Sequence, residues 1–449
     1  MKSKAIKYLS ILAAFVALSA FETSQFAAAA QETAADNGCT PYSLFGYGQI
    51  LTPGTSYNAA MGGAGIADRN VKVINTLNPA AVTAREPKSF MMDFGAENAN
   101  TLFNGNAATA MGSEAEGELT SAHNSFNMHH IVVSFPIYHH SAFKLGIEPY
   151  SSVNYIFNAY ETDEDLITEV GDVQYYKVGQ GTLYKAFLGA GVTLWDRLSA
   201  GADVLYYFGD LERYSLAYFN TRSNYRTVTT GWSYIMSGFG LKLGLQYEQP
   251  LGGKVTLRAG ATYSFGNDVK GYETRYAYGE SSSATDTVKY ENGLISGYHI
   301  PSELGVALGL SISDSWRINL DATFQDWTGV TFEKVGETGF STAKASSYRA
   351  GVEYTPNYYD ARYYMRHVSY RAGFYRQNSY MSLNGRQVTS TGLTFGASFP
   401  VFRYYNAVSF SVDIGRRGTL EDNLIQERYI LFNLAFSLHD IWFIKNFYQ

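Results

Sequence analysis

The chain has 449 residues and a formal net charge of −6, and only 16% of its residues are charged, against about 25% in an average soluble domain. Tyrosine (37), phenylalanine (28) and glycine (43) are abundant, which suits a membrane barrel with aromatic belts and crowded, tilted strands. The negative charge gives no reason to expect nucleic acid as a partner, and the slightly negative mean hydropathy excludes a bundle of membrane helices.

Residues 1–30 have the features of a signal peptide. Lysines at positions 2, 4 and 7 precede the apolar stretch 8–20, which is too short to span a bilayer. Small residues suited to cleavage follow at Ala20 and at 27–30, and we favour the second site, with a mature start near Gln31. No later stretch reaches the roughly 18 consecutive apolar residues of a membrane-spanning helix. The sequence therefore predicts an exported protein that is not a helical membrane protein.

Residues 31–88 precede the first predicted strand and lack regular alternation. A barrel of the size predicted below encloses a lumen too wide for its wall side chains to fill, so we expect this segment to fold inside the lumen as a plug. Asn78, Pro79 and Ala80 are its expected anchor, because asparagine caps backbone groups and proline fixes a turn. Cys39 is the only cysteine, which excludes an internal disulfide.

A cluster rich in aromatic residues lies at the start of the predicted plug and comprises Tyr42, Leu44, Phe45 and Tyr47. Aromatic walls with few polar groups suit a pocket for a long apolar molecule, so these are candidate ligand-binding residues. Packing of the plug against the barrel wall explains the same cluster equally well.

From residue 89 to residue 449 the sequence predicts an all-β transmembrane antiparallel barrel. In 407–415 every second residue from Val408 to Ile414 is apolar, and such alternation gives a strand one face for lipid and one for a wet lumen. The residues that we expect to face lipid are Ile318, Leu320, Phe324, Phe410, Val412 and Phe432. The fourteen predicted strands span residues 89–97, 125–136, 143–155, 182–194, 198–208, 233–248, 254–266, 302–312, 315–325, 346–355, 368–376, 391–400, 406–415 and 428–438.

The predicted connections alternate between short and long. This is typical of up-and-down outer-membrane barrels, which have short periplasmic turns and long extracellular loops, whereas a sandwich with Greek-key crossovers scatters its loop lengths. The turn at 356–367 is longer than the other turns. The short turns are 138–142, 195–197, 249–253, 313–314 and 401–405, and the long polar links include 98–124, 156–181, 209–232, 267–301 and 326–345.

Pro149 lies within the third predicted strand and is followed by Tyr150, Ser151 and Ser152. Proline removes a ladder donor and is confined to strand edges and bulges. We therefore expect a local break in the sheet at this point, either with a functional role or as an ordinary bulge.

Charges of both signs occur in near balance on the predicted inward faces. We expect most of them to pair across the lumen, and Arg258, Arg317 and Arg349 are candidates for holding the carboxylate of a ligand. Because no ring of a single sign occurs, an ion-selective pore is not indicated. The inward charges are Asp93, Lys144, Glu148, Lys185, Asp203, Lys242, Glu248, Arg258, Glu303, Arg317, Asp321, Arg349, Glu353, Arg371 and Asp413.

Three other chemistries are not expected from the sequence. The glycine-rich stretch 63–68 lacks the third glycine and the βαβ context of a nucleotide-binding loop. The histidine pairs 129–130 and 139–140 are adjacent residues, which point to opposite faces of a strand, so a metal site is not expected. The histidines and serines do not match the catalytic Ser/His or Asp/His residues of lipases and proteases that have a barrel fold. We expect no enzyme activity, no cofactor and no metal.

A stretch of glycine and alanine is followed by Ile66-Ala67-Asp68 and then by Asn78-Pro79-Ala80 just before the first strand. These motifs within residues 56–83 resemble those of the FadL/TodX family of outer-membrane transporters for long-chain fatty acids and aromatic hydrocarbons, and 303–328 is similar to the ninth-strand region of the family. The layout of the whole mature chain agrees. The ending 440–447, beyond the last strand, looks like that of Bacteroidetes members.

The resemblance implies a transporter of hydrophobic small molecules with a lateral exit where the third strand kinks, here at Pro149, Ser151 and Ser152. We expect a monomer, surrounded by lipid, in the outer membrane of a Gram-negative bacterium, with a Bacteroidetes source indicated. One such Bacteroidetes relative serves as a shuttle in type IX secretion, and others are labelled haem receptors. A scaffold barrel of a secretion system and a haem-type receptor are therefore alternatives, whereas a plug argues against a non-specific porin.

Overall fold

The structure is a computed structural model that describes residues 40–106, 118–138, 140–161, 163–219, 225–280, 285–332, 339–360, 362–401 and 406–442. The predicted signal peptide, the first residues of the predicted plug with Cys39, His139, and the end of the chain from residue 443 lie outside the described residues. Among the residues that are described, no helix is long and apolar enough to cross a bilayer.

The described residues form fourteen antiparallel strands that close into one barrel, as the sequence predicts. The first strand pairs with the last, from Ser89↔Ile441 to Asn104↔Gln426. Four strands contain a break of one or two residues. The strands are β1 (Ser89–Asn106), β2 (Glu118–Tyr138), β3 (Ser141–Ser152 and Tyr155–Tyr160), β4 (Val173–Leu194), β5 (Leu198–Phe219), β6 (Thr227–Gly252), β7 (Val255–Ser264 and Asn267–Glu280), β8 (Thr285–Ile300 and Glu303–Ile312), β9 (Trp316–Asp326), β10 (Phe340–Thr342 and Lys344–Tyr354), β11 (Ser369–Leu383), β12 (Arg386–Pro400), β13 (Ala407–Gly418) and β14 (Gln426–Ile441).

The outer face of the barrel carries the apolar side chains that the alternation assigns to lipid. In β9, Ile318, Leu320 and Phe324 are 36%, 52% and 41% exposed, whereas Asn319 and Asp321 point inward and are buried. The rings of Phe410 and Phe432 stack across β13 and β14 with their centroids 6.2 Å apart. The predicted register of these strands is confirmed.

Leu320 provides a test of this register, because it lies in the middle of β9 on the outer face. We expect Leu320→Arg to lower the free energy of unfolding by about 2–4 kcal/mol, since it places a charge in hydrocarbon. Val288→Arg is the control, since Val288 is 73% exposed far from the periplasmic turns, and we expect it to cost about 0–1 kcal/mol. Denaturant titration in lipid vesicles measures both values. Equal losses would contradict the assignment of Leu320 to lipid.

The connections differ from the prediction at one end of the barrel. Following outer-membrane barrels, we assign the short turns to the periplasmic side, and 355–368, with a 3₁₀ turn at Tyr364–Arg366, is the longest of them. The long links are mostly strand. Within 267–301, for example, Asn267–Glu280 and Thr285–Ile300 are both strands. The loop prediction was wrong there because strands beyond the bilayer do not need a lipid-facing apolar side, and so lose the alternation.

The N-terminal segment, residues 40–88, packs against lumen-facing side chains of the barrel. It contains a 3₁₀ turn at Pro41–Leu44, a two-residue strand at Gln49–Ile50, a helical turn at Ser56–Ala59 and a second 3₁₀ turn at Pro79–Thr83. Most of its side chains between residues 54 and 82 are buried.

Glycines in the barrel wall allow the backbone of the N-terminal segment to approach closely. A Cβ atom on Gly373 would collide with the backbone of Met61 and Gly62, and one on Gly201 would collide with the backbone of Pro79. Gly260 and Gly351 face backbone atoms of the segment in the same way, whereas a Cβ atom on Gly244 would collide with side-chain atoms of Asn78 and Pro79. The contact between segment and wall is therefore made partly by main-chain atoms, which any larger residue at these positions would push apart.

Candidate functional site

A cavity of about 210 Å³ lies between the N-terminal segment and the barrel wall. Leu51 and Pro53 of the segment border it, together with Met128 and His129 of β2 and Pro149 of β3. Its wall also carries charged groups. Strands β9, β10 and β13 contribute Asp321, Arg349, Asp413 and Arg417, and the other charged residues of the lining are Glu97, Glu148, Lys242 and Glu303.

Strands β2 and β3 separate partway along their length. They pair from Tyr138↔Ser141 at the turn to Ile131↔Ile147, and no pair joins the described residues of β2 before Ile131 to β3. The pairing of β3 with β4 shifts by one residue between Pro149 and Ser151. We call the space between residues 118–130 of β2 and 148–160 of β3 the β2–β3 gap. The shift at Pro149 lies at the position where the sequence predicts a local break in the sheet.

The N-terminal segment pairs with the edge of β3 that β2 leaves. Gln49 lies opposite Ser152 and Ile50 opposite Ser151, and the Leu51 backbone N–H donates to the Tyr150 carbonyl at 2.9 Å. Because β4 holds the other edge of the same residues, this two-residue strand satisfies backbone groups that would otherwise be unpaired. Ser151 and Ser152 are both buried here.

Most of the predicted lumen charges form ion pairs. Asp93 differs, because it contacts His130 Nε2 at 2.8 Å and accepts a hydrogen bond from Ser437. The pairs among the predicted charges are Lys144–Asp203 (3.1 Å), Lys185–Glu148 (2.6 Å), Arg258–Glu248 (2.7 Å), Arg317–Glu353 (3.4 Å) and Arg371–Glu353 (2.7 Å).

Arg258 and Arg317, two candidates for holding a carboxylate, lie near the periplasmic turns and outside the lining of the cavity. Arg258 pairs with Glu248, and Arg317 pairs with Glu353 and lies 3.9 Å from Asp68. The third candidate, Arg349, lines the cavity. Its guanidinium donates to the Ser347 hydroxyl at 2.7 Å and to the Gly63 carbonyl at 3.4 Å.

Arg417 is a cavity residue that the sequence analysis missed. Its guanidinium pairs with Glu427 at 2.9 Å and lies over the ring of Tyr429. The predicted strand ended at residue 415, whereas β13 continues to Gly418. Extending the alternation from Asp413 by four residues would have placed Arg417 on the same inward face.

The predicted aromatic cluster is divided between two environments. Tyr42 lines the cavity, and its hydroxyl donates to the Ile425 carbonyl. Tyr47 is fully buried, which raises the pKa of its phenol well above the usual value. Leu44 packs beside the same core, and the ring of Phe45 stacks on Phe340 at 4.8 Å. The rings that meet Tyr47 edge-on are Tyr298 (5.5 Å), Trp327 (6.1 Å) and Phe332 (5.6 Å).

Asn78 fixes the N-terminal segment to the wall. Its side-chain amide donates to the carbonyls of Ile66 (3.0 Å) and Leu245 in β6 (3.1 Å), and its oxygen accepts from the Ala80 backbone at 3.0 Å. Pro79 begins the 3₁₀ turn that follows. Asn78, Ile66 and Ala80 are buried, so the sequence motif acts locally as a cap and at long range as a link to the barrel.

Two cations of the N-terminal segment contact the periplasmic half of the barrel. The Lys72 ammonium lies 3.5 Å from the centre of the Tyr358 ring, and burial lowers its pKa to about 8. Arg85 donates to the Ser134 hydroxyl of β2 at 2.9 Å, and burial lowers its pKa to about 10.

His129 and His130 do not face opposite ways, contrary to the sequence expectation. Their Nδ1 atoms lie 2.8 Å apart. The reason is a β-bulge, in which Gly95 pairs with His130 and Ala96 with Met128, so that His129 has no partner across the ladder. Within the described residues, no group of three or more metal-ligating side chains includes them.

The fold is shared with solved membrane barrels at low sequence identity. The toluene transporter TodX of Pseudomonas putida gives a TM-score of 0.54 at 13% identity, covering 86% of this chain and 98% of that one. A FadL homologue of Pseudomonas aeruginosa gives 0.52 at 11%, covering 88% and 100%. The toluene transporter TbuX of Ralstonia pickettii gives 0.51 at 15%, covering 85% and 97%. No curated protein matches the sequence. A family model described as BamG matches residues 12–449.

Proposed function

The chain belongs to the BamG family, and we propose that this member is an outer-membrane transporter of hydrophobic small molecules, long-chain fatty acids or aromatic hydrocarbons, with a lateral exit. The observation that carries the proposal is the meeting of the cavity and the β2–β3 gap. Met128 and His129 on one side of the gap and Pro149 on the other border the same cavity.

A lateral exit suits an apolar cargo physically. A molecule that leaves the cavity through the β2–β3 gap enters hydrocarbon and gains about 0.8 kcal/mol per CH₂ relative to water. Unpaired backbone at membrane depth is tolerated only beside a cavity or other protein, and the gap adjoins both. Phe126, 65% exposed on β2, provides an apolar rim on the lipid side.

We further propose that residues 31–88 act as a plug that blocks a straight aqueous path, within a barrel of residues 89–449. In this proposal Tyr42 contacts the ligand directly, while Leu44, Phe45 and Tyr47 close the cavity above it. Arg349 is the better candidate for a ligand carboxylate than Arg258 or Arg317, because those two are held in ion pairs away from the cavity. A monomer of Bacteroidetes type is part of the same proposal.

Pro149→Val tests the exit. Valine restores a ladder donor and favours a regular strand, so we expect β3 to straighten toward β2 and the uptake of labelled oleate and toluene to fall several-fold. Pro136→Val is the matched control, because Pro136 lies in the part of β2 that is paired with β3, and we expect normal uptake. Heat-modifiable migration in gels checks that both variants fold. Normal uptake in Pro149→Val and also in Phe45→Ala would reject the transporter proposal.

A second candidate is a docking barrel that serves a secretion system. The observation that favours it is the outer part of β8, where Thr285–Ile300 pairs with β7 and, within the described residues, with no strand on its other side. Val288 and Ile295 there are 73% and 84% exposed. An exposed unpaired edge can bind an extended segment of another polypeptide.

The two candidates predict opposite results for variants of the outer β8 edge. Val288→Asp and Ile295→Asp disturb this edge but lie outside the cavity lining. If the chain is a transporter, both should support normal uptake. If the chain is a docking barrel, they should reproduce the phenotype of a deletion strain, while Pro149→Val behaves as the unchanged protein.

A further inference from the structure

A row of arginines crosses the outer wall of the barrel near its extracellular end. Arg376 of β11 lies opposite Thr391 of β12, which lies opposite Arg416 of β13, which lies opposite Arg428 of β14. Cross-strand partners share a face, and the three arginines are exposed. Three strand spacings of about 4.8 Å place them within about 15 Å of one another.

Within the described residues, no carboxylate pairs with this row. Like charges directly opposite each other across a ladder are destabilising, yet none of the ion pairs among the described residues includes Arg376, Arg416 or Arg428. The acidic residues between β13 and the start of β14 that the structure describes are used elsewhere. Glu427 points inward to Arg417, and Glu421 and Asp422 bind Arg386. The described part of the chain therefore leaves the row open to a counter-charge from outside.

An apolar groove begins directly below the arginine row. Phe374, Ile414 and Ile430 each lie two residues from an arginine of the row, on the same face and one step toward the periplasm. Together with Leu393 and Phe432 they line an open groove of about 650 Å³, with Arg416 and Arg428 at its rim. The groove faces the bilayer. A ligand that has both an apolar chain and a negatively charged group therefore suits the groove and the arginine row together.

We propose that the arginine row and the groove form a binding site for a phosphorylated lipid of the outer leaflet, with phosphate groups on the arginines and an acyl chain in the groove. The planar guanidinium of arginine binds phosphate through two parallel hydrogen bonds, and three arginines fit a headgroup with two phosphates better than one with a single charge. The site lies on the outer wall and is independent of the cavity and of the proposed transport.

Lipid binding to the purified full-length protein in detergent tests the proposal, with a diphosphorylated glucosamine lipid as the probe. Native mass spectrometry gives the occupancy, and the midpoint of thermal unfolding gives an independent measure. We expect the unchanged protein to bind the probe, and the triple variant Arg376→Gln, Arg416→Gln, Arg428→Gln to bind it about tenfold or more weakly. Arg386→Gln, which removes an arginine already paired with acids, should bind as the unchanged protein does.

Two further arms identify the source of the charge and the role of the groove. Leu393→Asp keeps all three arginines, so weaker binding by this variant would support the acyl-chain contact. Inorganic phosphate, or zwitterionic phosphatidylcholine, should give no comparable rise in the unfolding midpoint. Equal binding of the probe by the triple variant and the unchanged protein, or binding of inorganic phosphate as strong as that of the lipid, would overturn the proposal. Absence of probe binding by the unchanged protein would overturn it as well.

Discussion

Replacing Glu353 with glutamine is expected to lower the free energy of unfolding by about 3–5 kcal/mol, because it leaves buried arginine charge without compensation. Glu353 of β10 is 4% exposed. One of its oxygens lies 2.7 Å from Arg371 Nε and the other 3.4 Å from Arg317 Nε. The carboxylate also accepts a hydrogen bond from Asn70 at 3.4 Å, so the loss extends to the anchoring of the N-terminal segment.

Urea titration of the protein in lipid vesicles measures this effect. The matched control is Glu421→Gln, which breaks a pair with Arg386 in which both side chains are largely exposed. An exposed pair contributes about 0–1 kcal/mol, so the control should remain close to the unchanged protein. Similar losses in the two variants would mean that the cluster around Glu353 is solvated and not buried as described.

Replacing Gly373 with valine is expected to displace the N-terminal segment from the wall while the barrel stays closed. A side chain on Gly373 meets main-chain atoms of Met61 and Gly62, which cannot rotate away. The displacement would break the hydrogen bonds between Thr394 and the backbone of Ala60 and Gly62. Overpacking of this kind costs about 1–3 kcal/mol, and the pairing of β11 with its neighbours does not depend on the side chain.

Single-channel conductance in planar bilayers, together with limited proteolysis, detects the displacement. We expect a larger conductance and faster cleavage within residues 40–88. Gly279→Val is the control, because the nearest atom to a Cβ there is Arg226 Cδ at 3.9 Å. A Gly373→Val protein with unchanged conductance and unchanged protease resistance would contradict the close contact between segment and wall.

The membrane part of the barrel could be predicted because one physical requirement repeats in every strand. Lipid on one side and polar side chains on the other impose a period of two, visible in Ile318, Leu320 and Phe324. Beyond the bilayer that requirement ends, so strands such as Thr285–Ile300, exposed over most of their length, have no distinctive pattern. Their pairing is determined by the strands below them and not by local sequence.

The candidate site was only partly predictable, for a related reason. Pro149 predicts a break in the sheet because proline lacks a backbone donor for the ladder. The strand at Gln49–Ile50, in contrast, is two residues long and is defined only by its partners about 100 residues away. The arginine row likewise depends on the register of four strands, which a single sequence does not fix. The sequence correctly predicts that the side chains of Arg258 and Arg317 face the lumen. Which acidic groups they pair with depends on the neighbouring strands of the assembled barrel, which a single sequence does not show.

The seam between β1 and β14 has a consequence for how the chain folds. Sixteen residue pairs join these strands, and their members come from opposite ends of the barrel sequence. Forming any of these pairs closes a loop that contains nearly the whole barrel, which carries a large entropic cost. Residues 40–88, which directly precede β1, lie on glycines of strands spread from β5 to β11. Their contacts with the wall therefore need these strands to be assembled. Until this seam forms, the edge of β1 lacks its β14 partner, and such an unpaired edge is open to wrong partners.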